Sequence, residues 1–350
     1  MNALKNLTIK NFRGFDTLEI DNLSQINLFV GKNNSGKTSI LESIFLLLGM
    51  SNPMLPNNIN QFRGLNIAST KQLKYLFHNL KPENKPFFAG TFNDESERQL
   101  NIEATFSSNE NSFNNSSVSA PEIIGIDLNF SIKKKHTQKI SQKSSITFDG
   151  SLINQKIPKD YSENQYAAFI SPDKNDLGAF SRYSEIVKRK AGDSILKSLQ
   201  SFDDNIKGIQ LLWDGIYFDI KDINELIPCN IMGDGIRRFL NIATAVAEKQ
   251  DAVVCIDEIE NGLHYSAYKL LWESLIAFSK QNNVQLFIST HNIETLTCLK
   301  NLLEKEEHRN MRELTQVYAV SKTIKAGYKA YRYSYDGFKD AIEHETEIRN

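Results

Sequence analysis

Short apolar runs open the chain. Leu7–Phe15 reads LTIKNFRGF, then TLEI and INLFV follow, separated by Gly, Asp and Asn, and this predicts three strands. The third run, Ile26–Val30, is almost continuously apolar and leads straight into GKNNSGKTS. The next stretch, SILESIFLLLG, is apolar at helical spacing and stops at Gly49. The pattern is therefore strand, glycine loop, helix. From Ser51 to Thr91, Pro53, Pro56, Pro82 and Pro86 interrupt weak helical stretches such as Thr70–Asn79, and no element is assigned there. Leu100–Phe106 and Ile126–Ile132 alternate as strands of an antiparallel insertion. The Ser/Asn-rich SSNENSFNNSSVSA between them is expected to be a mobile loop.

Beyond Tyr166 the period changes. AAFIS and Ala252–Ile256 read as buried strands, as does Val284–Ser289. Tyr183–Leu199, Ile236–Lys249, Ser266–Ser279 and Glu294–Lys305 read as helices, and Ile209–Ile220 alternates around Trp213, Ile216 and Phe218. Strands alternating with helices imply an α/β fold with a mostly parallel sheet. It is joined by an N-terminal antiparallel β subdomain and a β-rich insertion. There is no fixed repeat and no heptad run of coiled-coil length.

The loop GKNNSGKT, Gly31–Thr38, matches G-x-x-x-x-G-K-[ST] and lies between a buried strand and a helix N-terminus. Its glycines let successive N–H groups turn toward phosphate oxygens, aided by the helix dipole. Lys37 is expected to reach the β- and γ-phosphates, and the Thr38 hydroxyl to ligate Mg²⁺. The stretch VVCIDEIENGLH ends an apolar run in Asp257, Glu258 and Glu260. If the strand Ala252–Ile256 lies beside the P-loop strand, those carboxylates emerge near the γ-phosphate. Asp257 then serves the metal, and Glu258 orients and deprotonates the attacking water. The plainer reading is that these acids cap the following segment.

Ser289, Thr290, His291 and Asn292 leave a buried strand in the same way, so His291 is a candidate donor to the γ-phosphate or the water. In IMGDGIRRFLNIATAV, Gly233, Asp234 and Gly235 open a helix whose first turn carries Arg237 and Arg238. Arginines there oppose the dipole, a hint of a nearby anion.

A formal net charge of −1, from 41 basic and 42 acidic residues, excludes a global field drawing the protein to a polyanion. Any such contact must be local. The dense basic stretch IKKKHTQKISQK holds Lys133, Lys134, Lys135, Lys139 and Lys143 around His136. It is either a solvated hairpin tip that blocks strand pairing or a phosphate-backbone contact. Cys229, Cys255 and Cys298 have no paired or zinc-like spacing and read as buried thiols of a reducing cytosol. No apolar leader and no bilayer-length run is present, so a cytoplasmic protein that does not span a membrane is expected. Neither NKPF (Asn84–Phe87) nor DKND (Asp173–Asp176) matches the guanine-reading NKxD pattern.

NFRGFDTLEI, GKNNSGKTSILESI, MGDGIRR, CIDEIENGLH and STHN, in this order, resemble the ABC-type ATPase heads of RecF, SMC and OLD proteins. The resemblance is strongest to the single-chain AAA ATPases of the OLD group in bacterial anti-phage systems. It spans about Leu4–Gly49 and Ala167–Thr297, and Met50–Tyr166 matches only loosely. It implies one ATPase domain over residues 1–350: an N-terminal lobe to 49, an insertion to 166, a C-terminal lobe to 320 and a tail. It implies ATP and Mg²⁺ as ligands, with Arg13, Gly31, Asn33, Asn34, Ser35, Gly36, Lys37, Thr38 and Ser39 on the nucleotide. It also implies a head-to-tail homodimer or higher homo-oligomer in which the Gly233–Gly235 turn closes over the partner's ATP. His291 becomes a switch histidine, and Glu260–His264 meets the partner.

The signature serine of the family is replaced here by Gly233 or Asp234, and Gln61 and Gln99 are both candidates for its glutamine loop. No SMC-type coiled coil is seen. No Toprim nuclease is expected in the roughly thirty residues after Val320, so the chain is similar to stand-alone ATPases such as that of the PARIS defence system. An effector, a Toprim or HNH nuclease, would act in trans. The alternatives are a RecF-like DNA-repair ATPase using the lysine stretch, a slow ATP-binding scaffold, and an ABC-transporter subunit.

Overall fold

The computed structural model describes residues 2–65, 70–107, 122–150, 152–172, 178–323 and 327–344. The Ser/Asn-rich stretch from Ser108 onward, the DKND segment and the last six residues lie outside them. Six strands form the central sheet, in the order Gly327–Tyr333, Thr315–Thr323, Ile26–Val30, Gln285–Thr290, Val253–Ile256, Ala167–Ile170. Five are parallel and the outermost, Gly327–Tyr333, is antiparallel. The run INLFV is buried at every position, as a strand covered on both faces must be. Its one polar side chain, Asn27, donates to the Leu286 carbonyl at 3.2 Å and the Ser24 carbonyl at 2.8 Å.

The pleat of this sheet sorts the core. Leu28, Val254, Ile256, Leu286 and Ile288 pack on one face with residues of the helices Asp234–Ala247, Tyr268–Asn282 and Ile293–Leu303. Phe29, Val253, Cys255 and Phe287 face the other way, toward the helix Lys37–Leu48 and a second sheet. That sheet has seven antiparallel strands, in the order Phe15–Ile20, Leu4–Phe12, Phe87–Phe92, Glu97–Phe106, Ile123–Lys133, Ile140–Asp149, Leu152–Lys156. The fold is α/β, with the mostly parallel sheet that was expected. The N-terminal β subdomain and the β-rich insertion, read separately in the sequence, are one continuous sheet.

Three expectations are corrected. The strand Val253–Ile256 does not lie beside the P-loop strand, because Gln285–Thr290 runs between them. The stretch Tyr183–Leu199 is two helices, Ala179–Lys188 and Gly192–Phe202, broken where Lys190 takes a left-handed φ of 58°. Ile209–Ile220 is a hairpin of Ile206–Leu212 and Gly215–Ile220, with Trp213 at its turn and 93% exposed. A third strand, Ile227–Pro228, extends this small sheet and leads toward the Gly233–Gly235 turn.

Candidate active site

The parallel strands all end at one edge, and the polar residues that follow them meet there, as open α/β sheets place their ligands. Ile26–Val30 delivers the P-loop. Gly36 has a φ of 97°, and a Cβ on it would lie 2.7 Å from the Phe15 ring, so both conformation and packing require glycine. Asn34 also takes a left-handed φ, 65°. The Lys37 ammonium is folded into this loop, donating to the Gly31 carbonyl at 2.7 Å and the Lys32 carbonyl at 2.9 Å. Burial pushes its pKa below the ordinary lysine range, and the carboxylates of Asp257, Glu258 and Glu260 pull it back up. Ser35 Oγ is buried inside the loop with no hydrogen-bond partner among the described residues.

The Thr38 hydroxyl donates to Asp257, with Oδ2 at 2.9 Å and Oδ1 at 3.1 Å. Ser289 Oγ donates to the same carboxylate at 2.5 Å and accepts from the Glu258 N–H at 2.8 Å. One serine thus ties together two acids from the adjacent strand. Asp257 is 3% exposed, and burial raises its pKa, against the hydrogen bonds from Ser289 and Thr38 that lower it. Glu258 sits at a φ of 46°, an unfavourable conformation for a side chain that cannot bond locally as Asn does. It is sustained from below by the buried Arg238 guanidinium, which donates to the carbonyls of Asp257 at 2.7 Å, Glu258 at 3.1 Å and Ser171 at 2.6 Å.

His291 is held by Glu260, whose Oε1 lies 2.9 Å from Nδ1 and accepts from the His291 N–H at 3.1 Å. Asn292 caps the next helix, accepting from the Thr295 N–H at 2.9 Å. Ser289, His291 and Asn292 of STHN therefore each have their own task.

Lys37, Thr38, Asp257, Glu258 and His291 come from three strand ends of one edge. Asn33 and Asn34 are exposed on the loop. Arg13, expected on the nucleotide, follows the strand Leu4–Phe12, and its guanidinium meets the buried Glu42 of the P-loop helix at 2.7 Å and the Asn60 side chain at 3.1 Å. Arg63, which sequence reasoning missed, meets Glu42 from the other side at 2.7 Å and donates to Ser39 Oγ at 3.3 Å. Gln99 lies on the antiparallel sheet, accepting from Lys139 at 2.9 Å, and Gln61 lies in the last turn of the helix Leu55–Phe62 that precedes Arg63.

The anion inferred from Arg237 and Arg238 is not needed. Arg238 serves the carbonyls just named, and Arg237 pairs with Asp234. The turn itself is open: Gly233 and Asp234 are exposed. It packs against the loop after the acids, since a Cβ on Gly262 would lie 3.9 Å from both Asp234 and Arg238.

Among the described residues no three His, Cys, Asp or Glu side chains are grouped to hold a metal unaided. No helix among them is long and apolar enough to cross a membrane.

A family model described as "AAA domain, putative AbiEii toxin, Type IV TA system" matches residues 26–297. A Helicobacter pylori protein named ATP/GTP phosphatase is 25% identical over 339 residues, covering 89% of this chain and 91% of that one. The DNA replication and repair protein RecF of Clostridium acetobutylicum is 52% identical over 42 residues, only 12% of either chain. Among solved structures, an SMC head bound to the C-winged helix domain of ScpA covers 95% of this chain and 97% of its own. Its TM-score is 0.50 at 13% identity, a likeness of fold.

Proposed function

We propose, on the premise that this chain belongs to the AAA-domain family whose model spans residues 26–297, that it is a switch in which ATP joins two copies and hydrolysis parts them. The chain is an ATPase of this type. The observation that carries the reading is the Thr38–Asp257 hydrogen bond, which joins residues 219 apart in sequence at the mouth of the P-loop.

Lys37 leaves the Gly31 and Lys32 carbonyls when phosphate oxygens offer a better anionic partner. Thr38 and Asp257 fit Mg²⁺, which takes one or two protein oxygens and fills its shell with phosphate and water. Bound there, the ion would neutralise charge developing on the β- and γ-oxygens. Glu258, next to the metal residue and not consumed by it, orients the attacking water and takes its proton. His291, its ring set by Glu260, donates to the γ-phosphate.

The exposed Gly233–Gly235 turn supplies backbone N–H groups to the ATP of a second copy. The switch acts on a partner protein, a nuclease of Toprim or HNH type in anti-phage defence. The resemblance of GDGIRR and ENGLH to the OLD group supports that reading. The DNA-binding alternative gains nothing from the lysine hairpin, where Lys135 pairs with Glu95 at 2.5 Å and Lys143 with Asp127 at 2.9 Å. These pairs describe a solvated hairpin.

Gly233 offers a test of the dimer. Its φ is −57° and nothing lies within 4 Å of an added Cβ, so Gly233→Trp leaves the monomer intact while obstructing a partner. Light scattering of Glu258→Gln with ATP should show twice the monomer mass, and adding Gly233→Trp should abolish the increase. An unchanged monomer mass for Glu258→Gln with ATP bound overturns the dimer.

A further inference from the structure

We propose that the nucleoside of the bound triphosphate is a purine seated against Tyr328, in a groove between the strand pair Thr315–Thr323/Gly327–Tyr333 and the turn after Leu4–Phe12. This rests on the ATPase reading above and adds the base subsite to it.

Topology gives the direction. Asp257, Glu258 and His291 mark the γ-phosphate end, and they stand on strands to one side of Ile26–Val30. A nucleotide lying across the sheet edge must extend its ribose and base to the other side. There the neighbouring strand is Thr315–Thr323, whose register with the P-loop strand ends at the Ala319–Val30 pair. Its last residues run on past the sheet edge beside the loop. A Cβ on Gly31 would lie 2.5 Å from the Val320 carbonyl oxygen, so this extension touches the P-loop directly.

The strand pair brings an aromatic platform to that side. The Tyr328 ring lies edge to face on Phe15, with centroids 4.8 Å apart. Both rings reach the P-loop: a Cβ on Gly36 would stand 2.7 Å from Phe15 and 3.5 Å from Tyr328. The Tyr328 hydroxyl would lie 2.9 Å from a Cβ on Gly14, so the ring closes over the turn. Around the ring is a groove of about 620 Å³, lined by Asp16, Thr17, Glu19, His78 and Lys322 among others, enough for a nucleoside.

The chemistry suits a base. The Lys322 ammonium, 5.1 Å from the Tyr328 ring centroid, sits over the ring as a cation does over a π-face. A planar base takes that face, and the flexible lysine arm swings toward phosphate or ribose. Asp16 and Glu19 supply acceptors for an exocyclic amino group, and stacking area favours the two-ring bases.

Inorganic tripolyphosphate separates the base subsite from the phosphate site. Affinities of ATP, GTP and tripolyphosphate should be measured by titration calorimetry for the wild type, Tyr328→Ala and Tyr328→Phe. Loss of one stacked aromatic should weaken ATP and GTP about tenfold, leave tripolyphosphate unchanged, and be restored by phenylalanine. Equal loss of ATP and tripolyphosphate, or no loss of ATP, overturns the subsite. Failure of the ATPase reading looks different, because Lys37→Ala would then bind tripolyphosphate as the wild type does. Should Tyr328→Ala not fold, photolysis of 8-azido-ATP on the wild-type protein decides. Label on Tyr328 or on residues 14–19 supports the subsite, and label confined elsewhere contradicts it.

Discussion

Asp257 is the residue at which stability and chemistry oppose each other. Burial raises its pKa above the ordinary 3.8, so between that value and the raised one the folded state binds more protons than the unfolded state. The stabilisation this gives is complete below the unfolded pKa and is lost as pH rises through the folded pKa. Once ionised, the carboxylate is therefore a strain on the nucleotide-free protein, relieved when a cation arrives. Asp257→Asn should resist urea at least as well as the wild type at pH 7 while losing turnover. The difference should shrink as pH falls toward 4, and a variant less stable at pH 7 than at pH 4, relative to wild type, contradicts this. Lys37, Thr38, Asp257, Glu258 and His291 were legible in the sequence because motif spacing and strand ends announce them. Ser289 was read only as part of STHN, and its hydroxyl bridge from Asp257 to the Glu258 N–H depends on which strand lies next to which. Arg238 was misread for a similar reason: its helix-end position suggested an anion, whereas burial turned it toward three carbonyls.

At the scale of elements, the P-loop helix is anchored by an ionic cluster. Glu42 is fully buried between Arg13 and Arg63, and Arg63 also reaches Ser39 on the same helix. Glu42→Ala would leave a buried guanidinium without its anion, a change that costs about 3–5 kcal/mol. The partial exposure of Arg63 (36%) places the loss near the lower end, to be read from urea unfolding. A loss below about 1 kcal/mol would show that the cluster is not an anchor. No pattern in the sequence links these three, since Arg13 follows a strand, Glu42 is helical and Arg63 follows a helix in a proline-interrupted region. Elements with a strong period were read well: INLFV, SILESIFLLL and the strands Val253–Ile256 and Gln285–Thr290 are where their apolar runs put them. Failures came where the signal is local and weak. The break at Lys190 is marked only by Gly192, two residues on, inside an otherwise helical period, and at the hairpin Asp214–Gly215 follows Trp213, a large apolar residue where periodicity expects a strand.

Over the whole molecule, two sheets with a helix between them hold one polar edge, and in the proposed dimer the exposed Gly233–Gly235 turn completes a second copy's site. That completion, the Tyr328 subsite and control of a partner all depend on one claim: the strand-end residues act on a single triphosphate. The most direct measurement is single-turnover ATP hydrolysis by Glu258→Gln. Removing a positioned general base slows the chemical step by about 10²- to 10⁴-fold without touching the phosphate cradle. The account predicts ATP affinity within a few-fold of wild type and hydrolysis at least a hundredfold slower. Hydrolysis at the wild-type rate would contradict it.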